Sequence, residues 1–355
     1  MKQILIICNT YYQLILAIQL RLTLFKNEIV DVMLSDTSVK SFEVYKRLKE
    51  LHVFNNLKYF EQQSIIYNDN KWSKVVDILK YNFGSIRDID IEKYDEVIFH
   101  NWTFHVFALL DYYEKIHHYP IWSRFEEGLF SYNVDYGTFK SNTRIWTTIK
   151  IRNLTKRKNL VGQVSKYYCI YPELRTAYPE WNSVTIPDFS TTAGELKRIL
   201  NYIFDYHPIH DFRKFLYFSS MTVFDENKLV QEIANVVGKE NLLVKVHPRN
   251  KTSFYQENDI KVMENSFVPW EIAQMNMDPS GTILLTANSG SFIGITAMMK
   301  SHARGYLLFN CVDCDVPFYL KRKQQMGLML DKLHNMGLCD KISYNIHTIQ
   351  ELNSK

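Results

Sequence analysis

Short apolar runs alternate with longer amphipathic stretches almost throughout the 355-residue chain, and this alternation constrains the fold more than any other feature. It predicts β-α-β units, in which parallel strands are joined by helices that pack on the sheet. Residues 3–8 are predicted as the first buried strand and residues 12–24 as the helix that follows. The pattern begins again with a strand over residues 214–218. We therefore predict an α/β protein built from two Rossmann-like domains.

The predicted boundary between the two domains lies after an irregular stretch of sequence near residue 190. We predict an N-terminal Rossmann-like, acceptor-side domain over residues 1–190, a linker over 191–212, a C-terminal Rossmann-like, nucleotide-binding domain over 213–335, and a C-terminal tail with a helix over 336–355. Parallel sheets bind ligands at the carboxyl ends of their strands. Two such sheets facing a central cleft form the GT-B-like architecture of many glycosyltransferases that use sugar nucleotides, although a fold does not fix a function.

Composition and charge exclude several classes of protein. The 42 Lys and Arg against 38 Asp and Glu leave a formal charge of +4 with no basic stripe, which argues against nucleic acid as a partner. The five cysteines are odd in number and form no disulfide framework, and Cys311 and Cys314 lack a second pair at zinc spacing. The first apolar run is too short for a signal peptide or a membrane span. We expect a cytoplasmic protein that requires no metal or other cofactor.

The usual motifs for dinucleotides, ATP, serine hydrolases and zinc proteases do not occur in the chain. In the N-terminal half, Glu126 and Glu127 precede Gly128, which can turn the chain. Adjacent carboxylates of this kind either serve as catalytic groups or belong to a solvated loop.

In the C-terminal half, His247 follows an apolar strand predicted over residues 242–246. A histidine at that point lies at the edge of the sheet where ligands bind, and Pro248 would hold it in place. A histidine with only structural contacts is the alternative. Asp225 opens the next predicted helix, where a carboxylate can either cap the helix or point into the cleft.

Small polar residues precede the helix predicted from Ser291. Backbone N–H groups and hydroxyls in such a turn can bind an anion with support from the helix dipole, or they can form an ordinary helix cap. Glu271 lies in the first turn of another predicted helix. Its carboxylate can accept hydrogen bonds from ribose hydroxyls or interact with the helix dipole.

Taken in order, these motifs resemble those of the bacterial sialyltransferases of glycosyltransferase family 52, which act on lipooligosaccharide or capsule. The motifs are residues 8–14, Glu126-Glu127-Gly128, Asp225-Glu226, His247-Pro248-Arg249 and Ser289-Gly290. The resemblance implies an inverting, metal-independent transfer of sialic acid from CMP-sialic acid to a galactose-type hydroxyl. The chain departs from the family pattern in having Glu-Glu before Gly128 where Asp-Asp is expected.

The resemblance also assigns roles to individual residues. His247 would assist departure of CMP, and Asp225, Glu126 or Glu127 would be the base that deprotonates the acceptor. A histidine can supply hydrogen bonds, positive charge or a proton near neutral pH. The remaining candidates would bind substrate: on the CMP side Arg249, Glu271, Asn288, Ser289, Gly290 and Ser291, and in the N-terminal loop Asn9, Thr10 and Gln13.

Two alternatives to this function stay open from the sequence. The chain could transfer another sugar, such as glucose, from a UDP-sugar, or it could bind a nucleotide sugar without turnover. The expected partners are the CMP-sialic acid donor and a galactose-terminated oligosaccharide. A homodimer and a peripheral association with the cytoplasmic face of the inner membrane are both compatible with the sequence.

Overall fold

The computed structural model describes residues 1–61, 75–76, 79, 93–132, 143–209, 213–220, 223–247 and 250–355. The apolar pattern of the sequence also predicts a helix over residues 72–81. Most of that stretch lies outside these ranges, and so do Pro248 and Arg249. The chain divides into two compact units. Unit 1 comprises Met1–Glu127 and Ser131–Pro187, and unit 2 comprises Gly128–Phe130 and Asp188–Lys355.

Unit 1 contains a sheet in which every described strand is parallel to its neighbours. The strands are β1 (Gln3–Cys8), β2 (Ile29–Ser35), β3 (Asn56–Phe60), β4 (Glu96–Phe99), β5 (Ile121–Phe125), β6 (Val164–Cys169) and β7 (Asn182–Thr185). Their order across the sheet is β3-β2-β1-β4-β5-β6-β7. Ile6 of β1 pairs with Val32 on one side and with Ile98 on the other. The order therefore reverses direction between β1 and β4, which is where sheets of this type bind ligands.

The helices described in unit 1 include α1 (Tyr11–Leu22), α2 (Ser41–Glu50), α3 (Phe104–Lys115) and α4 (Thr143–Leu154). Helix α1 packs on β1 and β2, and α2 packs on β2 and β3. Helix α1 begins at Thr10, whose side chain accepts a hydrogen bond from the backbone N–H of Gln13 at 3.3 Å. Most residues of α1 are buried, because it packs over the middle of the sheet.

Unit 2 has the same plan. Its described strands are β8 (Phe215–Phe218), β9 (Leu242–Lys245), β10 (Lys261–Val262), β11 (Ile283–Thr286), β12 (Arg304–Leu307) and β13 (Ile342–Ser343). They are parallel and lie in the order β10-β9-β8-β11-β12-β13. Leu216 of β8 pairs with Leu243 and Leu284, so the change of direction in this sheet lies between β8 and β11.

The helices of unit 2 are α5 (Ala193–Ile203), α6 (Glu226–Val237), α7 (Ser253–Glu257), α8 (Trp270–Asn276), α9 (Ser291–Met298) and α10 (Pro317–Asn335). Among the described residues no helix has both the length and the apolar character needed to cross a membrane.

The parallel strand orders of the two sheets confirm the prediction of two α/β units.

The structure shows regular elements at both ends of the predicted C-terminal domain. The stretch predicted as a linker contains α5, which buries Leu196, Ile199 and Leu200 and packs against α8. The stretch predicted as a tail contains β13, which extends the second sheet. A two-residue strand is too short to produce a period in the sequence, so only the pairing with β12 reveals it.

Candidate functional site

Two adjacent glutamates follow β5, and the structure gives them different environments. Glu126 has no exposed surface. Its carboxylate accepts hydrogen bonds from the hydroxyl of Tyr12 at 2.5 Å, from the hydroxyl of Tyr132, and from the backbone N–H of Ile170 at 2.9 Å. Burial raises the pKa of Glu126, and these three hydrogen bonds act in the opposite direction. The carboxylate thus joins α1, the loop after β5 and the end of β6.

Glu127 lies closer to the surface, and its side chain is 25% exposed. One carboxylate oxygen, Oε2, lies 3.1 Å from Nε2 of His100. The backbone N–H of Glu127 donates to the hydroxyl of Ser131 at 2.9 Å, which orders the turn that follows β5. Of the two glutamates, Glu127 therefore has the carboxylate that a substrate can reach.

His100 follows β4 and is buried beside the end of β5. Its Nδ1 lies 2.8 Å from the carbonyl oxygen of Phe125, while the guanidinium of Arg124 donates two hydrogen bonds to the carbonyl oxygen of His100, at 2.8 and 3.1 Å. Burial lowers the pKa of His100 to about 4; the carboxylate of Glu127 opposes this shift and the charge of Arg124 adds to it. His100 and Glu127 lie at the carboxyl ends of β4 and β5, next to the point where the strand order changes direction.

The predicted N-terminal loop residues come together at the end of β1, and their described contacts hold the loop. Asn9 is buried, and its backbone N–H donates to Oε1 of Gln13 at 2.6 Å. The amide nitrogen of Gln13 lies 3.5 Å from Oδ1 of Asn101, beyond β4. Thr10 caps α1. These side chains thus connect the ends of β1 and β4 on either side of the point where strand order reverses.

In unit 2, the predicted anion-binding turn joins β11 to α9. Thr286 forms its base, because its hydroxyl donates to the carbonyl oxygen of Phe218 at 3.2 Å and accepts from the backbone N–H of Ser289 at 2.9 Å. The hydroxyls of Ser289 and Ser291 lie 2.6 Å apart. Asn288 is buried, whereas Ser289, Gly290 and Ser291 are partly exposed. The turn therefore places small polar groups at the N-terminus of α9, next to the end of β8.

A partly buried lysine, Lys245, and a buried glutamate, Glu271, lie near the end of β9. Lys245 ends β9, and its ammonium group donates to the carbonyl oxygen of Ser266 at 2.7 Å. Burial lowers the pKa of Lys245 to about 8, and the carboxylate of Glu271 opposes that shift. Burial raises the pKa of Glu271, which lies in the first turn of α8, while its own backbone N–H and Lys245 act in the other direction.

The acidic pair at the start of α6 also divides into two roles. Asp225 is exposed and accepts a hydrogen bond from the backbone N–H of Lys228 at 3.1 Å, so its described contact is that of a helix cap. Glu226 is buried. It accepts hydrogen bonds from the hydroxyl of Ser219 at 2.7 Å, the backbone N–H of Ser220 at 3.0 Å and the hydroxyl of Tyr217 at 3.0 Å.

His247 lies two residues beyond β9 and is partly exposed. The structure thus places it at the carboxyl edge of the second sheet, as the sequence predicts. Arg249 lies outside the described residues. Within the described ranges, no group of three or more His, Cys, Asp or Glu side chains has an arrangement suited to a metal ion.

Sequence reasoning missed two of these residues. The sequence predicts a strand over residues 96–100, in which His100 is the last residue, although His100 follows an apolar run just as His247 does. Glu226 lies beside Asp225 in the same motif, and only its burial distinguishes it.

No protein-family model and no curated protein matches the chain. Several solved structures are similar in fold. The glycosyltransferase of kitacinnamycin is 9% identical over 99% of this chain and 89% of its own, with a TM-score of 0.53. Arabidopsis thaliana UGT89C1 complexed with UDP is 12% identical over 99% and 88%, with a TM-score of 0.50. A UDP co-structure of S. aureus MnaA is 15% identical over 99% and 94%, with a TM-score of 0.49. The chain has the GT-B fold.

The resemblance to the family 52 sialyltransferases is wrong. No family model supports it, and the similar structures are a glycosyltransferase of kitacinnamycin and a plant protein with UDP bound rather than enzymes that use CMP-sialic acid. Apart from residues 8–14, the motifs that suggested it are two or three residues long. Polar residues are common at the strand ends of any Rossmann-like domain, because that edge is where ligands bind.

Proposed function

We propose that this protein is a glycosyltransferase that uses a UDP-sugar as donor. The observation that carries the proposal is the GT-B fold, which extends over 99% of the chain and is shared with a structure that contains UDP. Polar groups at the carboxyl edges of both sheets provide the chemistry that such a transfer needs. A fold alone would not be sufficient, because one fold can host many activities.

The nucleotide is assigned to unit 2, at the edge between β8 and β11. The turn over Ser289, Gly290 and Ser291 would bind the diphosphate, because hydroxyls and the N-terminal end of a helix attract anions. Glu271, in the first turn of α8, would accept hydrogen bonds from the ribose hydroxyls. His247 would hydrogen-bond to the diphosphate as it leaves.

The acceptor is assigned to unit 1, with Glu127 as the base. The acceptor hydroxyl gives its proton to the Glu127 carboxylate, and the acceptor oxygen forms a bond to the anomeric carbon of the sugar. The bond between that carbon and the diphosphate breaks, and its electron pair leaves with UDP. Deprotonation by a positioned carboxylate contributes about 10²–10⁴-fold in rate. Glu126 is a poor candidate for this role because its oxygens already accept three hydrogen bonds from within the unit.

Thermal unfolding in the presence of UDP or CMP tests the choice of nucleotide. A ligand present at 100 times its Kd stabilises the folded state by about 2.7 kcal/mol, or roughly 5–10 °C for a unit of this size. We expect this shift with UDP and a much smaller one with CMP. Glu271→Gln should weaken the UDP shift, whereas Glu264→Gln, an exposed glutamate of the same unit, should not.

Release of UDP from a set of UDP-sugars, with and without simple sugar acceptors, tests the reaction. Glu127→Gln should lower kcat by about 10²-fold or more. Glu180→Gln is the matched control, since that glutamate is exposed on the surface of the same unit. An absence of both the UDP shift and UDP release would refute the proposal, and a shift with CMP alone would refute the choice of donor.

A further inference from the structure

The two ring nitrogens of His100 both face defined partners. Nδ1 lies 2.8 Å from the carbonyl oxygen of Phe125. A carbonyl oxygen can only accept a hydrogen bond, so Nδ1 must carry a proton. The imidazole is 3% exposed and is held in this orientation by the end of β5.

Once Nδ1 carries a proton, the contact between Nε2 and Glu127 also requires one. The 3.1 Å distance from Nε2 to Oε2 fits a hydrogen bond. With a neutral imidazole and an ionised carboxylate, two lone pairs would face each other at that distance. A hydrogen bond forms only when one proton is shared by the pair, either on Nε2 or on Oε2.

The charges around the pair favour the second arrangement. Burial of the ring disfavours an imidazolium ion, and so does the charge of the Arg124 guanidinium, which donates to the carbonyl oxygen of His100. The thiol of Cys8 also lies close to Glu127, and burial raises the pKa of that thiol far above its usual range, so it stays uncharged. The imidazole of His100 is therefore neutral near neutral pH, and Nε2 is available to accept a hydrogen bond from Glu127 once that side chain has taken up a proton.

We infer that His100 and Glu127 form one proton-transfer unit, in which Glu127 is the catalytic residue and His100 is a positioning residue. The inference rests on the proposed function for the step that it serves. Glu127 takes the proton of the acceptor hydroxyl, and the carboxyl group that results donates a hydrogen bond to Nε2 of His100. The imidazole thus stabilises the product of proton transfer.

His100→Gln tests this directly. The glutamine amide donates a hydrogen bond to the carboxylate and stabilises its charged form, whereas the neutral imidazole accepts one from the protonated carboxyl group. The variant should therefore lower kcat by about tenfold or more with KM little changed, because the product of proton transfer loses its stabilising partner. His117→Gln, in an exposed position of the same unit, is the control. An unchanged kcat, or a rise in KM alone, would show that His100 is only structural.

A nitrogen-15 NMR titration of the histidine rings tests the pair without any substrate. His100→Gln identifies the His100 signals by their loss. We expect Nδ1 to stay protonated across the titration and Nε2 to respond to Glu127. Glu127→Gln removes the carboxylate charge that raises the pKa of His100, so the His100 titration should move to lower pH. An unchanged titration in Glu127→Gln would overturn the inference.

The two experiments separate this inference from the proposed function. A coupled NMR titration together with no turnover of any UDP-sugar would preserve the pair and reject the transferase. Turnover of a UDP-sugar together with uncoupled titrations would preserve the transferase and reject the pair.

Discussion

Replacement of Glu126 by leucine should destabilise unit 1 strongly, although the residue is next to the proposed base. Its carboxylate has no exposed surface and accepts hydrogen bonds from three donors, on Tyr12, Tyr132 and Ile170. Leucine has nearly the same size but no acceptor. Each buried donor left without a partner costs about 1–3 kcal/mol. Since the two hydroxyls can turn toward other acceptors and the backbone N–H cannot, we expect a total loss of about 3–6 kcal/mol.

Urea unfolding followed by tryptophan fluorescence measures this loss, because Trp122 and Trp181 are buried in unit 1. The melting temperature of the unit should also fall by about 10 °C or more. Glu126→Gln keeps one acceptor and should lose only about 1–2 kcal/mol. Glu127→Gln, at a partly exposed position, should stay within about 0.5 kcal/mol.

A loss of unfolding free energy below about 1 kcal/mol in Glu126→Leu would refute this prediction, since one unpaired buried donor alone costs about 1–3 kcal/mol. Equal losses of stability in Glu126→Leu and Glu127→Gln would also refute it, because the structure gives the two side chains different environments. The comparison thus distinguishes Glu126, which stabilises the loop, from Glu127, which the loop leaves accessible to a substrate.

Three further predictions concern other parts of the chain. Asp225→Ala should cost about 1 kcal/mol through loss of the α6 cap and leave UDP release nearly unchanged; a large loss of turnover would instead make Asp225 the base. Gly305→Ala should destabilise unit 2 by about 1–3 kcal/mol, as its Cβ would lie 2.8 Å from both the carbonyl oxygen of Leu284 and the Phe292 ring. A thermal melt no lower than that of wild type would contradict this. Burial lowers the pKa of His105 to about 4, so unfolding takes up a proton and stability falls as pH drops from about 6.5 to 4. His105→Phe should reduce that slope by about 1.4 kcal/mol per pH unit in urea titrations, and an unchanged slope would show that the ring is already charged when folded.

The GT-B fold was predictable from the sequence because strands buried on both faces of a parallel sheet appear as short continuous apolar runs. Residues 3–8 and 214–218 read as buried strands, and the structure has β1 and β8 there. The short strand β13 was not predictable, because two residues cannot show a period and their pairing depends on β12, far away in the chain.

The sequence also determined which kinds of side chain lie at the carboxyl edges of the sheets. Glutamates after β5, a histidine after β9 and small polar residues after β11 could be located by counting from the apolar runs. The directions in which these side chains point could not be predicted. Beyond the end of a strand the alternation of side chains is lost, so the path of the turn decides which of two neighbours is buried.

Glu126 and Glu127 illustrate the difference, as do Asp225 and Glu226. Each pair is two adjacent acids in the sequence, and only the tertiary structure shows which carboxylate is surrounded by donors from distant segments. The contact between His100 and Glu127 also depends on the tertiary structure, because the two residues follow neighbouring strands, β4 and β5. The sequence by itself therefore determined the fold and the chemical groups at its edges, whereas the contacts between distant segments decided which groups hold the structure and which can react.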